Sequence, residues 1–180
     1  MGARIAPQEP PFAAEVQQWI ARTMPAGKPP LVLFATLARD PRLCAKFFAG
    51  GLLDRGHLTL RERELVIGRT TARCGSEYEW GVHVAIFGER IGLTEAQRRS
   101  LVTGGPDDRC WNDDDRLPLR LADALHERCD IDDALWAALR EHFSDEAMLE
   151  LLLLAGGYRT VSYLTNALRL PLEPDAARWS

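Results

Sequence analysis

The apolar residues of this chain recur at intervals of three and four over almost its whole length. Near the start, for example, Phe12, Val16 and Ile20 fall on one stripe of a first helix. Capping-box sequences at Thr59-Leu-Arg-Glu62 and Thr94-Glu-Ala-Gln97 mark the starts of two further helices. Short β-branched runs that would indicate strands are rare. The pattern therefore predicts an all-α fold.

Glycine, proline and capping signals divide the sequence into roughly eight helices of a single-domain bundle. Residues 1–30 are expected to form an N-terminal extension with one helix. Residues 31–172 would form the helical domain, and residues 173–180 a C-terminal tail. The polar segment 104–116 is expected to be a loop, with the run Asp113-Asp-Asp115 exposed to solvent.

The charge and apolar content of the 180 residues narrow the possible function classes. The net charge is −4 and no basic cluster dominates a segment, so no nucleic-acid partner is expected. The longest apolar run, residues 149–157, is too short to cross a bilayer, and no long apolar stretch follows the N-terminus. We therefore expect a cytoplasmic protein without a membrane partner. The four cysteines form no Cys-x-x-Cys pair and no zinc-like spacing, which indicates reduced thiols and no metal site.

Glu79 and His83 lie four residues apart on a predicted helix, so their side chains share one face. Ser76 precedes Glu79 by one turn, and Glu64 lies on the preceding helix, where an antiparallel return would bring it opposite that face. Carboxylate, imidazole and hydroxyl groups in one place are suited to proton transfer near neutral pH. A Glu–His pair at this spacing is also common on solvent-exposed helices, but the bulky apolar residues around both glutamates favour a buried site.

The segment Ser76-Glu-Tyr-Glu79-Trp-Gly-Val-His83 resembles the Cys-x-x-Cys-x-x-x-His signature of the carboxymuconolactone decarboxylase and alkylhydroperoxidase D superfamily. Glu64 lies twelve residues before Ser76, as the upstream glutamate of the family precedes its first cysteine. The closing stretch 150–163 is similar to the last helix of the family. The resemblance covers roughly residues 30–172. It implies an alkylhydroperoxidase D-like, all-helical protomer that assembles with itself into a homotrimer or homohexamer.

The sequence departs from this signature at both thiol positions. Ser76 and Glu79 stand where the peroxidase branch has its two cysteines, and neither side chain can form a sulfenic acid or a disulfide. Cys74 lies two residues before the first of these positions and has no partner at helical spacing. Tyr78 stands where some peroxidase members have a second histidine. The chain is therefore more similar to decarboxylase-type members that lack the Cys-x-x-Cys pair.

For such a member, the resemblance implies a cofactor-independent lyase or isomerase that acts on a small carboxylated organic acid or lactone. His83 would be the general acid or base, with Glu79, Glu64 and Ser76 completing the catalytic set. The expected substrate-binding residues are Tyr78, Trp80, Arg73 and Arg159. No cofactor and no metal is expected. Two alternatives stay open: a non-catalytic binding or assembly protein with a structural Glu/His cluster, and a peroxidase-type oxidoreductase.

Overall fold

The computed structural model describes residues 2–179, and every regular element in that range is an α-helix. The all-α prediction is thus confirmed, with nine helices in the described range where roughly eight were predicted. The helices are α1 (Ala14–Thr23), α2 (Val32–Leu37), α3 (Pro41–Ala49), α4 (Leu60–Arg73), α5 (Glu77–Phe87), α6 (Glu95–Thr103), α7 (Asp113–Arg128), α8 (Asp133–His142) and α9 (Asp145–Ala167).

Helix α4 lies at the centre of the molecule and packs against α5, α6, α7 and α9. Its residues 63–71 are all buried. Val66 and Ile67 belong to the main apolar core, whereas Leu65 packs into a second cluster that includes Trp80 and Leu101. A helix that is surrounded on all sides must satisfy its polar side chains within the protein. The charged residues of α4 are therefore expected to form ion pairs inside the protein.

Side-chain caps place the starts of α4 and α6 as the sequence predicted. Thr59 accepts a hydrogen bond from the backbone N–H of Glu62, and the Glu62 carboxylate accepts one from the N–H of Thr59. Thr94 and Gln97 form the same reciprocal pair at the start of α6. Each box satisfies backbone donors that a helix start leaves without partners.

Helix α7 starts at Asp113, inside the segment that the sequence analysis expected to be a loop. Asn112 caps it by accepting a hydrogen bond from the N–H of Asp115 (2.8 Å). Asp115 is buried, and its two carboxylate oxygens accept hydrogen bonds from Nε and Nη2 of Arg61 on α4, each at 2.7 Å. The expected solvent exposure of the acidic run is therefore wrong for Asp115, because a guanidinium from the central helix pairs with it.

We expect Asp115→Asn to lower the free energy of unfolding by about 2 kcal/mol, since asparagine has no negative charge to pair with Arg61 and keeps only one of the two acceptor oxygens. Asp114→Asn is the matched control, because the neighbouring side chain is 86% exposed; it should change stability by less than about 0.5 kcal/mol. Urea unfolding of both variants measures the difference. Equal effects from the two substitutions would show that the Arg61 pair adds nothing to stability.

Both ends of the described chain lie against the helical body. Val16 and Ile20 of α1 are part of the main core, and α1 packs on α3. At the other end, the N–H of Ala177 donates to the carbonyl oxygen of Gly81 on α5 (3.0 Å). A Cβ atom at Gly81 would overlap the carbonyl oxygen of Ala177, so a glycine is needed at this crossing. The segment after α9 therefore rests on the helix that carries Glu79 and His83.

Helix α9 is the longest element, and one of its faces is exposed. Leu149, Leu153 and Tyr163 are each more than half exposed, and a Cβ atom at Gly156 or Gly157 would have open space around it within residues 2–179. This apolar face is exposed in the single chain, and the homotrimer or homohexamer stays a prediction. Among the described residues, no helix combines the length and the apolar character needed to cross a membrane.

Candidate active site

A tight turn between α4 and α5 brings the predicted residues together. Gly75 has φ of +68°, in the left-handed region that glycine adopts without strain. The N–H of Ser76 donates to the carbonyl oxygen of Thr71 (2.9 Å), which completes the end of α4. The chain then reverses, and Ser76 caps α5 by accepting from the N–H of Glu79 (3.4 Å). As a result α5 packs against α4, and His83 faces Glu64.

His83 lies between two carboxylates. Its Nδ1 donates to Oε2 of Glu64 at 2.7 Å, and its Nε2 lies 3.4 Å from Oε1 of Glu79. The three side chains are buried, with exposed fractions of 5% for Glu64, 7% for Glu79 and 6% for His83. The spacing of Glu79 and His83 in the sequence, with Glu64 on the preceding helix, predicted that these side chains meet. The structure brings all three together between α4 and α5.

Two further residues complete the surroundings of His83, and the sequence analysis missed both. Arg63 is buried and its Nε donates to Oε1 of Glu64 at 3.0 Å, while its Nη1 donates to the carbonyl oxygen of Leu53. The ring of Tyr158 packs perpendicular to the imidazole, with 4.9 Å between the ring centroids. The adjacent Arg63-Glu64 pair was visible as a sequence signal, since two buried neighbours of opposite charge on one helix can compensate each other.

The local charges decide how His83 titrates. Burial by itself lowers the pKa of an imidazole, but the hydrogen bonds to Glu64 and Glu79 outweigh it and raise the pKa of His83 from 6.5 to about 9. His83 is therefore an imidazolium at neutral pH. Burial, followed by the nearby carboxylates of Glu79 and Glu64, raises the pKa of Tyr158 well above 10, so this ring stays neutral.

One oxygen of Glu79 has no partner. Oε2 is buried and forms no hydrogen bond with any described residue, although Oε1 of the same carboxylate faces His83. Buried carboxylate oxygens without a donor are rare because they lose hydration without compensation. His83 contacts Glu64 through Nδ1 and Glu79 through Nε2, and the unpaired oxygen belongs to Glu79.

The other predicted residues on α5 have different roles in the structure. The hydroxyl of Ser76 forms a hydrogen bond with that of Thr165 on α9 (2.8 Å). The hydroxyl of Tyr78 donates to Glu173 and accepts from the N–H of Leu33 (3.0 Å), and burial raises its pKa above the ordinary value. Trp80 packs edge-on against Trp179. None of these contacts includes the side chains of Glu64, Glu79 or His83.

The two arginines expected to bind a substrate carboxylate point to α7 instead. Arg73 pairs with Glu127 (2.7 Å) and lies 3.4 Å from Asp123. Arg159 donates to the carbonyl oxygens of Leu125 (3.3 Å) and His126 (3.2 Å). Within residues 2–179, neither guanidinium forms an ion pair or hydrogen bond with the Glu64, Glu79 and His83 cluster. The guanidinium in contact with that cluster is Arg63.

The space beside His83 is small. A cavity of about 10 Å³ lies against Glu64 and His83 and is bounded mainly by apolar residues, among them Val84, Phe87 and Leu101. Its volume accommodates about one water molecule. A larger molecule can reach the cluster only if the surrounding side chains move. Among the described residues, no three His, Cys, Asp or Glu side chains are arranged to hold a metal ion.

Comparison with known proteins identifies the fold. No protein-family model matches the sequence, and no curated protein matches it significantly. An uncharacterized peroxidase-related protein from Ralstonia eutropha JMP134, described as an alkylhydroperoxidase AhpD core, is 21% identical, with a TM-score of 0.80 over 95% of this chain and 94% of that chain. An uncharacterized peroxidase-related protein from Silicibacter sp. TM1040 is 19% identical, with a TM-score of 0.82 over 99% and 96%.

A third solved structure of this fold belongs to a protein with a stated activity. It is a cysteine-to-alanine variant of the debrominase Bmp8 in complex with 2,3,4-tribromopyrrole, 14% identical, with a TM-score of 0.80 over 97% of this chain and 94% of that chain. Together these neighbours show that the chain has the alkylhydroperoxidase D-like fold. The resemblance seen in the Ser76–His83 segment is thereby confirmed at the level of the fold. Because one fold hosts several chemistries, the fold alone does not define the activity of this chain.

Proposed function

We propose that this chain is a cofactor-independent lyase or isomerase that moves a proton on a small organic molecule through Glu64, His83 and Glu79. The observation that carries the proposal is the unpaired, buried Oε2 of Glu79 beside an imidazole whose other nitrogen is held by Glu64. A merely structural network is expected to satisfy its buried polar atoms, whereas a proton-transfer site leaves one free for the substrate.

Each residue has a separate task in the proposed reaction. Glu64 fixes the orientation of the imidazole through Nδ1, and Arg63 offsets the charge of Glu64. His83 supplies a proton from Nε2 to Oε1 of Glu79 or takes it back. Glu79 in turn exchanges a proton with the substrate carbon through Oε2. In an isomerisation, Glu79 takes a proton from one carbon of the substrate, the electron pair of the broken carbon–hydrogen bond enters a conjugated enolate, and Glu79 returns the proton to another carbon of the same enolate.

The charges at the site favour a neutral ring over a free carboxylate as the substrate. Arg63 is already paired with Glu64, and Arg73 and Arg159 contact α7. A lactone would meet no repulsion from Glu79, unlike an organic acid without a nearby cation. The ligand of the Bmp8 complex, 2,3,4-tribromopyrrole, is a small neutral ring with an N–H donor. A ligand of that kind could supply the hydrogen bond that Glu79 Oε2 lacks.

The second candidate function is a structural one. The cavity beside His83 has room for about one water molecule, which favours a closed polar network between α4 and α5 in a non-catalytic binding or assembly protein. The two candidates differ in what they require of the molecule. An enzyme must open a path for the substrate to the buried Oε2 of Glu79, whereas a structural network must stay closed.

A substrate screen with a site variant separates the two candidates. Purified protein is tested for turnover of lactone acids, muconate acids and neutral lactones, and any active compound is then tested with His83→Asn. We expect a loss of about a hundredfold or more in kcat, because the imidazole is the proton carrier. His57→Asn, at an exposed position, is the control and should leave kcat unchanged.

Turnover that survives His83→Asn within a few-fold would show that the assignment of His83 is wrong. If no compound in the panel is converted and His83→Asn lowers the unfolding temperature, the structural function is supported instead. Circular dichroism of each variant confirms that the helical fold is retained before rates are compared.

A further inference from the structure

A second group of reactive side chains lies where α4 ends against α7, outside the Glu64–His83–Glu79 cluster. Cys74 follows the last residue of α4, and its Sγ lies 3.7 Å from Nδ1 of His126 on α7. Both side chains are partly buried and so retain contact with solvent. Among the described cysteines, Cys74 is the one with a contact to an imidazole, whereas Cys44 is fully buried and Cys129 is exposed.

The surroundings keep this thiol and imidazole neutral. Burial raises the pKa of Cys74, and the lowering effects of Arg159, Ser162 and Arg73 are smaller. Burial, followed by the charges of Arg73 and Arg159, lowers the pKa of His126 below 6.5. A neutral imidazole beside a neutral thiol is the arrangement in which the nitrogen can take the proton as the sulfur attacks.

The charge around the pair is not balanced. Arg73 is paired with Glu127 and lies near Asp123. The carboxylates of Asp123 and Glu127 also interact electrostatically with His126. Arg159 donates to two backbone carbonyl oxygens and to the hydroxyl of Tyr163, all of them neutral acceptors. Within the described residues its positive charge therefore has no carboxylate partner, and the field at Sγ of Cys74 attracts anions.

We propose that Cys74 and His126 form a base-assisted thiol pair and that this pair is a modification site for small electrophiles that carry an anionic group. The Sγ atom attacks the electrophilic carbon and a sulfur–carbon bond forms. The bond from that carbon to the leaving group breaks, and the leaving group departs with the electron pair. The thiol proton passes to Nδ1 of His126. Arg159 lies beside the thiol and would attract the anionic group.

Alkylation of the intact protein with iodoacetate and with iodoacetamide tests the proposal, and peptide mass spectrometry follows each cysteine separately. We expect His126→Asn to lower the rate at Cys74 by about tenfold or more, because base assistance is lost. The rate at the exposed Cys129 in the same molecules should not change. His142→Asn, on α8, is the matched control and should leave both rates unchanged.

Two further readouts distinguish base assistance from simple accessibility. As the pH falls from 8 to 7, the rate at Cys74 should fall less steeply than at Cys129, because burial and the nearby arginines hold the pKa of His126 below its ordinary value of 6.5. The ratio of iodoacetate to iodoacetamide rates at Cys74 should fall in Arg159→Gln, because glutamine carries no charge. Equal Cys74 rates in the wild type and His126→Asn would overturn the thiol pair. An unchanged reagent ratio in Arg159→Gln would overturn the preference for anions.

Discussion

Replacing Glu64 by glutamine is expected to lower the free energy of unfolding by about 3 kcal/mol, because it leaves two buried cations without their shared carboxylate. Arg63 donates to Oε1 of Glu64 and His83 donates to Oε2, so one residue compensates both charges. The exposed fraction of the Glu64 side chain is 4%, which leaves little water to take over that role. Urea unfolding at pH 6.5 measures the change.

Glu89→Gln is the matched control, since Glu89 lies on the exposed surface just beyond the end of α5. It should change stability by less than about 0.5 kcal/mol. A similar loss of stability in both variants would show that removing any negative charge lowers the free energy of unfolding, whether or not the residue belongs to the buried network. An unchanged stability in Glu64→Gln would contradict the ion-pair account directly.

The pH dependence of stability provides an independent check on the same network. The pKa of His83 is about 9 in the folded chain and near 6.5 in an unfolded one, so the folded state binds the proton more tightly. The stabilisation is complete below pH 6.5 and is lost as the pH rises through 9. Wild-type protein should therefore lose about 3 kcal/mol over this interval relative to His83→Asn. In Glu64→Gln this dependence should be smaller.

The sequence predicted the parts of the structure that depend on neighbours along the chain. Helical spacing placed Glu79 and His83 on one face, and the turn at Gly75 brought Glu64 opposite them. The capping box at Thr59 marked the start of α4 correctly. These features follow from spacing, caps and one glycine turn, which a single sequence contains.

The features that the sequence did not predict depend on contacts between distant segments. Asp115 looked like part of an exposed acidic run, yet it pairs with Arg61, 54 residues away. Tyr158, on α9, packs on His83, and nothing in the local sequence of either residue indicates this contact. The partners of Arg73 on α7 likewise follow from helix packing, which fixes where a long side chain can reach.

Glu79→Gln is expected to reduce turnover by about 10²–10⁴-fold and to leave the protein folded. The amide oxygen can still lie near Nε2 of His83, so the contact at 3.4 Å is largely preserved. The unpaired carboxylate oxygen, however, is replaced by an amide that cannot exchange a proton. Because the amide carries no charge, part of the stabilisation of the His83 imidazolium is lost and the unfolding temperature should fall only modestly.

Glu77→Gln is the control for this substitution, because Glu77 lies two residues earlier on α5, where it accepts a hydrogen bond from the N–H of Trp179. Its kcat should stay within a few-fold of the wild-type value. The combination expected for Glu79→Gln, a large loss of kcat with only a modest loss of stability, is opposite to that of a structural residue. A marked loss of stability with unchanged kcat would therefore place Glu79 in a structural network.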